Sequence, residues 1–233
     1  MSTITAIKQQ KRNLHRYNLF VNGKYIASVN ENTLIEKKYQ AGQELSPDQL
    51  EQLLTYEKKD KLLELAFRYL EYRPRSRKEV SQYLKKKTSQ QKQLYQTHEE
   101  EIQIIEKTLT QLEELDLIND TSFGQWWLEQ RQTGRKPKGV WAIRSELKQK
   151  GVADDIIEKT LGAEGNTTEV SLALAALQHH RLLSRQDLDH RQYQAKAVRY
   201  LASRGFSFDT AKQAVDQLAK ERYNAKMGSA QRN

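Results

Sequence analysis

The sequence predicts a mainly α protein: an elongated tandem array of three three-helix units with a small N-terminal β-hairpin extension. Two observations predict it. Apolar residues recur at helical spacing between cap signals over most of the chain, and one early stretch instead alternates with period two around an Asn-Gly pair. At 233 residues, 37% hydrophobic and 30% charged with three prolines, the chain suits several modest cores in series better than one large one.

The early stretch reads as a hairpin. Tyr17, Leu19 and Val21 alternate toward Asn22-Gly23, and Tyr25, Ala27 and Val29 alternate away from it. Asn-Gly supplies the positive φ angles of a two-residue type I′ turn. Ile4 to Ile7 offers a third strand. A short helical stretch over Leu34 to Tyr39 is closed by Gly42. Ser46-Pro47-Asp48-Gln49 then has the N-cap, first-position proline, first-turn acid and capping-box Gln of a helix start.

Leu62, Ala66, Tyr69 and Leu70 form an apolar stripe that Arg73-Pro74 ends, because proline disfavours α conformation in the residue before it. Ser76 caps the next helix, with Glu79 three residues on and Val80, Tyr83 and Leu84 inward. Lys87 to His98 is polar, a loop or an extended helix end. Ile102, Ile105, Leu109 and Leu112 form a third stripe.

The unit then recurs. Asp120 is expected to cap a helix with Phe123 and Trp127 inward, Gly134 to Gly139 breaks it, and Val140, Ile143 and Leu147 lead to Gly151. Asp155 opens a helix with Ile156, Ile157, Thr160 and Leu161. A further copy has Thr168 as cap, Val170, Ala173, Leu174 and Leu177 inward, then Tyr193, Ala197, Tyr200 and Leu201, a stop at Gly205, and Asp209 before Ala214, Val215 and Leu218. Leu147 to Val152 aligns with Leu201 to Phe206, and Asp155 with Asp209. In both copies glycine sits where a helix end favours the left-handed conformation, an apolar residue follows, and Asp is expected to cap the next helix. The expected domains are 1–60 for the hairpin and linking helix, 61–118, 119–166 and 167–225 for the three units, and 226–233 for a disordered tail. Stacked units of this kind make a curved molecule.

Chemistry is hard to find. With no cysteine there are no disulfides or thiolate sites, and His15, His98, His179, His180 and His190 show no metal-binding spacing. Gly134 and Gly139 have a P-loop's glycine interval, but Val140-Trp141 stand where Lys and Ser/Thr are needed. The reading is therefore no enzyme, no cofactor and no metal. Without a signal-peptide core or an apolar run of the ~20 residues that span a bilayer, it is also a cytoplasmic protein without a membrane segment.

Charge is more informative. Lys and Arg number 39 against 30 Asp and Glu, which favours polyanionic or acidic partners. Arg68 to Lys87 carries eight basic residues against two acidic, Glu99 to Asp120 eight acidic against one basic, and Arg131 to Lys150 seven basic against one. Trp126, Trp127 and Trp141 accompany the last stretch. Arginine with aromatics suits phosphate contacts, bases or the anchors of a protein interface, although Trp127 and Trp141 also fit inward faces.

The succession of Tyr69-Leu70 before Arg73-Pro74-Arg75-Ser76-Arg77, Leu84, Leu117-Ile118-Asn119-Asp120, Phe123, Arg131, Pro137-Lys138-Gly139 and Leu147 to Val152 resembles the RecX family of recombinase regulators. The resemblance covers Lys61 to Ala219, and the N-terminus looks like the extension of members from low-GC bacteria. Thr88 to Glu100 is longer than the family's usual link, and Gly124 replaces a common alanine. The family implies a modulator that lies in the groove of the RecA filament on DNA, restrains its extension and inhibits ATP hydrolysis and strand exchange, with no active site of its own.

On that reading the partner is the RecA nucleoprotein filament, with weak non-specific affinity for single- or double-stranded DNA as a secondary contact, and the protein is a monomer. The expected contact residues are Arg73, Arg75, Arg77, Lys78, Arg131, Arg135, Lys136, Lys138 and Arg144. Two alternatives stay open. One is a stand-alone DNA-binding protein with helix-turn-helix-like units, in which Arg144 and Gln149 serve for base contacts. The other is a helical scaffold for some other acidic protein.

Overall fold

Asn22 and Gly23 both adopt positive φ, 49° and 76°, as the type I′ turn requires. They join β2 (Arg16–Val21) to β3 (Lys24–Asn30) in antiparallel register. The third strand is present and longer than expected: β1 (Ser2–Gln9) pairs antiparallel with β2. A fourth, β4 (Glu44–Leu45), carries no sequence signal and completes a sheet of order β3-β2-β1-β4. Tyr25 is 48% exposed, against the expected alternation, whereas Ala27 and Val29 are buried. The register shifts between Leu19/Ala27 and Phe20/Tyr25, leaving Ile26 as an extra residue. Because side-chain direction has period two, one inserted residue turns the strand's end to the other face.

The computed structural model describes residues 2–11, 13–91, 95, 97–162, 166–178, 180 and 190–230, excepting the side chains of 166–168, 190 and 222–230. It divides into two bodies, Met1–Arg73 with Val80–Ile118, and Pro74–Glu79 with Asn119–Asn233. Ten helices are found among the described residues.

In the first body, α1 (Glu31–Glu36) is capped by Asn30, which accepts from the Thr33 amide, and stops at Lys38 with φ 52°, before the expected Gly42. The next helix, α2 (Pro47–Leu70), starts with the expected capping box between Ser46 and Gln49. It serves two cores. Leu53 seals the inner face of the sheet formed by Ile4, Leu19, Val21, Ala27 and Val29, and Leu62, Leu63 and Ala66 pack with Val80 and Leu84 of α3 (Arg77–Ser89) and with α4 (His98–Glu114). In α4 the buried set is Ile104, Ile105, Thr108, Leu109 and Leu112. Ile102 is 39% exposed, because Ile104 and Thr108 share the buried face, which moves its centre about a quarter turn away from Ile102 and leaves that residue at the edge. Between α3 and α4, residues 92–94 and 96 lie outside the described residues.

The second body holds two three-helix cores. Phe123, Trp127, Ile143, Leu147, Ile157 and Leu161 close one between α5 (Asp120–Gln132), α6 (Val140–Gln149) and α7 (Asp154–Gly162). Ala173, Leu177, Ala197, Leu201, Ala214 and Val215 close the other between α8 (Asn166–Gln178), α9 (His190–Ser203) and α10 (Phe208–Ala230). Helix α10 runs into the segment expected as a tail, and 231–233 lie outside the described residues. Gly124 of α5 lies against Thr160: a Cβ there would meet its Oγ1 at 3.1 Å, closer than an ordinary contact.

The repeated punctuation is real but its acids are not caps. Gly151 and Gly205 have φ of 81° and 87°. The Val152 and Phe206 amides reach back to the Leu147 and Leu201 carbonyls at 3.1 and 3.2 Å, as in a Schellman ending. Asp155 and Asp209 stand second in α7 and α10, where they favour the helix dipole, and Ser207 caps α10 through the Thr210 amide at 3.0 Å. Likewise Asn119, not Asp120, caps α5, accepting from the Thr121 and Ser122 amides. Thr168 falls inside the first turn of α8, which begins at Asn166.

Candidate partner-binding surface

The loop from α5 to α6 carries three of the expected contact residues, and the second body fixes it from both sides. The Lys138 amide closes back onto the Arg131 carbonyl at 2.9 Å. From below, the Arg204 guanidinium donates to the carbonyl oxygens of Lys136 and Pro137, the latter at 3.3 Å. Pro137 and Gly139 are buried, whereas Arg135 and Lys136 are exposed.

That loop ends at a joint between helix termini. The Gly139 amide donates to the Arg204 carbonyl and the Trp141 amide to the Gly205 carbonyl, each at 3.0 Å. Glu169 accepts from the Val140 amide at 3.3 Å. The positive end of α6, whose first amides have no partner within the helix, therefore meets the negative end of α9. Backbones approach closely: a Cβ on Gly139 would lie 2.4 Å from the Gly205 oxygen, and one on Gly205 would lie 2.3 Å from the Ala142 nitrogen.

The same design recurs at the far end of α6. Ser76 keeps its expected capping box with Glu79 and also donates from Oγ to the Lys150 carbonyl at 2.7 Å. Lys150 Nζ reaches Glu79 at 2.6 Å, Asp120 accepts from the Arg77 amide at 2.8 Å, and Gly151 lies against the Lys78 side-chain stem.

These contacts sort the expected residues. Within Arg131 to Lys150, Arg131 and Lys138 both bind Glu146, Arg144 binds Glu158 through two nitrogens, Lys148 binds Asp154 and Lys150 binds Glu79. Four carboxylates thus take five of the seven cations, Glu146 taking two, and among the described residues Arg135 and Lys136 are the two of this run with no carboxylate partner. Arg75 and Arg77 are half-buried and Lys78 is exposed beside Gly151, while Arg73 belongs to the first body and is half-buried. The Arg144 guanidinium is already engaged by a carboxylate, which counts against base reading by α6.

Trp127 is nearly buried, with the Arg131 guanidinium 4.1 Å and the Lys150 ammonium 4.6 Å from its ring centre. Its indole N–H donates to Glu146 at 2.8 Å. Of the two readings kept for Trp141, an inward face or a contact residue, its 65% exposure excludes the first. Ile143 and Leu147 hold the α6 core face, and Trp141 lies on the Arg144 side of the helix. Of the histidines, His15 faces Glu31 at 3.6 Å, His98 faces Glu101 at 3.1 Å, and His180 lies against the Tyr200 ring; His179 and the His190 side chain lie outside the described residues. Among the described residues no group of three metal-ligating side chains is found, and no helix is long and apolar enough to cross a membrane.

Family models match this chain in four places: the Regulatory protein RecX N-terminal domain at residues 2–46, and the RecX first, second and third three-helix domains at 63–89, 119–161 and 169–215. A Regulatory protein RecX of Lactobacillus delbrueckii subsp. bulgaricus is 33% identical over 226 residues, covering 95% of this chain and 76% of that protein. The chain belongs to the RecX family. A Bacillus subtilis Regulatory protein RecX is 30% identical over 226 residues, covering 95% of this chain and 79% of its own length. A crystal structure of regulatory protein RecX superposes with a TM-score of 0.71 at 26% identity, covering 93% of this chain and all of that one.

The tip residues Arg135 and Lys136, and the carboxylate that takes two of their neighbours, all lie within the second RecX three-helix domain. Sequence reasoning missed Glu146, although it is the single acid in the central basic run. Burial works against its ionisation, yet hydrogen bonds from Lys138, Arg131 and Trp127 together hold its carboxyl below the usual carboxylate range. The sign follows from linkage. A group whose folded pKa is depressed adds stability above its unfolded value, near 4.5, and loses it as pH falls through the folded value. Glu146→Gln is expected to flatten the acid limb of the stability profile below that pH. Denaturant unfolding of both proteins across the acid range checks this, and an unchanged limb removes Glu146 from the hub.

Proposed function

We propose that this chain modulates RecA. It binds the RecA–DNA filament, restrains its extension, and lowers ATP turnover and strand exchange, acting in the cytoplasm as a monomer with no reaction of its own. The observation that carries the reading is membership of the RecX family along nearly the whole chain, sheet and helical units alike. The rigid loop tip supports a site for it. Two exposed cations stand on a backbone already held by Arg204, Gly139 and Lys138, so meeting acidic groups orders only their side chains and not the loop. A bound set of helical units that bridges filament subunits opposes the motion that accompanies nucleotide turnover, because it binds one filament state better than the other.

The test is titration of the protein against RecA's DNA-dependent ATPase at two salt concentrations. Arg135→Ala/Lys136→Ala is expected to raise the half-inhibiting concentration by about ten-fold, in line with ~1.4 kcal/mol per decade, at unchanged helicity. Lys138→Ala is expected to act mainly through the Glu146 hub and to lower stability as well. Full inhibition by the double variant takes the loop tip out of the contact, and no inhibition by the unaltered protein ends the filament reading.

A further inference from the structure

The first body holds a cleft that the filament reading does not use. Its volume is about 580 Å³, inside the range of roughly 300–1,000 Å³ typical of small-molecule sites. Its walls are the segment from α1 to Tyr39, one face of α2 and Lys107 of α4, all within that body. Every side chain lining it ends in a charged or hydrogen-bonding group, so a ligand that fills it is polar throughout.

Three lysines from separate elements line this cleft: Lys37 at the end of α1, Lys59 of α2 and Lys107 of α4. On α2, Lys58 pairs with Glu100 at 2.6 Å and Lys61 with Glu57 at 2.5 Å. Lys59 lies between them in sequence, yet among the described residues neither it nor Lys107 has a carboxylate partner. The cleft also holds two carboxylates from the first two turns of α2, Asp48 and Glu51, and among the described residues neither meets a cation. Charges of both signs thus share one cleft without neutralising one another. Tyr56 is fixed on its wall, the hydroxyl accepting from the Asn30 side-chain amide at 3.1 Å and from the Thr33 hydroxyl. Burial, and then the nearby Tyr56, pushes the Tyr39 phenol above its ordinary value, which keeps it a protonated donor.

We infer that this cleft binds a phosphorylated sugar, with the phosphate on Lys59 and Lys107 and the sugar hydroxyls on Asp48 and Glu51. An ammonium group is a compact charge that suits phosphate, and two of them offset its double charge. A bare phosphate would be repelled by the two carboxylates. Sugar hydroxyls give those carboxylates the donors they lack, as when an acid side chain holds a ribose. Nucleotides and free sugar phosphates share this chemistry. The site has no residue in common with the expected filament contacts.

Titration calorimetry with the full chain uses ribose phosphate, adenosine monophosphate, ribose and inorganic phosphate as probes. Saturable binding of ribose phosphate is expected, at least about ten-fold tighter than that of ribose or of inorganic phosphate. Tighter binding of adenosine monophosphate assigns the cleft to nucleotides, and equal or weaker binding to free sugar phosphates. Lys59→Ala/Lys107→Ala is expected to weaken the preferred ester about ten-fold at unchanged helicity, since neither lysine supports the fold through an ion pair. Glu51→Gln removes both a repulsion and an acceptor, so it is expected to tighten inorganic phosphate and to narrow the preference for ribose phosphate by about three-fold. No saturable binding of either ester up to about 10 mM, inorganic phosphate binding as tightly as ribose phosphate, unaltered affinity in the lysine variant, or an unchanged preference in Glu51→Gln each overturns the site.

Discussion

Gly205→Ala is expected to destabilise the second body by about 2–5 kcal/mol, seen as a lower urea midpoint for that part of the chain. Two costs add. At φ 87° a side chain is forced into the left-handed region, worth roughly 1–2 kcal/mol. The new Cβ would also lie 2.3 Å from the backbone nitrogen and Cβ of Ala142, and backbone does not give way as a flexible side chain does. Overpacking of that kind costs about 1–3 kcal/mol. The same residue accepts the Trp141 amide and carries the turn that positions Arg204, so the variant is also expected to loosen the loop bearing Arg135 and Lys136. Gly162→Ala is the control. Its Cβ meets nothing within 4 Å, and its effect is expected to stay within about 0.5 kcal/mol. If the two substitutions shift the midpoint equally, the close joint does not hold these helices together.

Gly205 also shows what the sequence makes legible. Its role as a helix stop follows from local chemistry alone, as do the Asn22-Gly23 turn, the Ser46 capping box and the inward stripes of α3, α5, α6 and α9, because each depends on neighbours within a few residues. Its second role, letting α9 press onto α6, depends on Gly139 and Ala142, some sixty residues away, and no local pattern announces that. The capping errors have a related cause. Asp120, Asp155 and Asp209 are first-turn acids beside the true cap positions, and acids favour both places.

The surface was less legible than the cores for a physical reason. A run of cations in sequence shows how much charge is present and not how much is already compensated. Arg131, Lys138, Arg144, Lys148 and Lys150 all find carboxylates, and Glu79, which holds Lys150, lies far away in sequence.

Arg16→Met is the second large effect, expected to cost the first body about 3–5 kcal/mol, the usual scale for breaking a buried ion pair from one side. Arg16 is 8% exposed on β2. It binds Asp60 of α2 at 2.7 Å, reaches Glu64, and donates to the Ser28 carbonyl and hydroxyl at 3.2 and 2.9 Å. It therefore ties the sheet to α2, and its loss strands a carboxylate that water reaches poorly. Burial already pushes Asp60 above its ordinary value; Arg16 opposes that push, while Glu64 and Glu57 add to it. Without Arg16 the carboxyl rises further. A carboxyl with a raised folded pKa takes up its proton more readily in the folded state, so its penalty is full above the folded pKa and fades as pH falls toward the unfolded value near 3.8. The gap between Arg16→Met and the unaltered protein is thus expected to be wide at neutral pH and to narrow in mild acid. Asp60→Asn in the Arg16→Met background is expected to recover much of the loss at neutral pH, because an amide leaves no buried charge. Thermal unfolding of the three proteins over that pH range decides it: a gap that stays constant with pH, together with no recovery from Asp60→Asn, means that Arg16 holds the sheet by packing and its Ser28 bonds rather than by its charge.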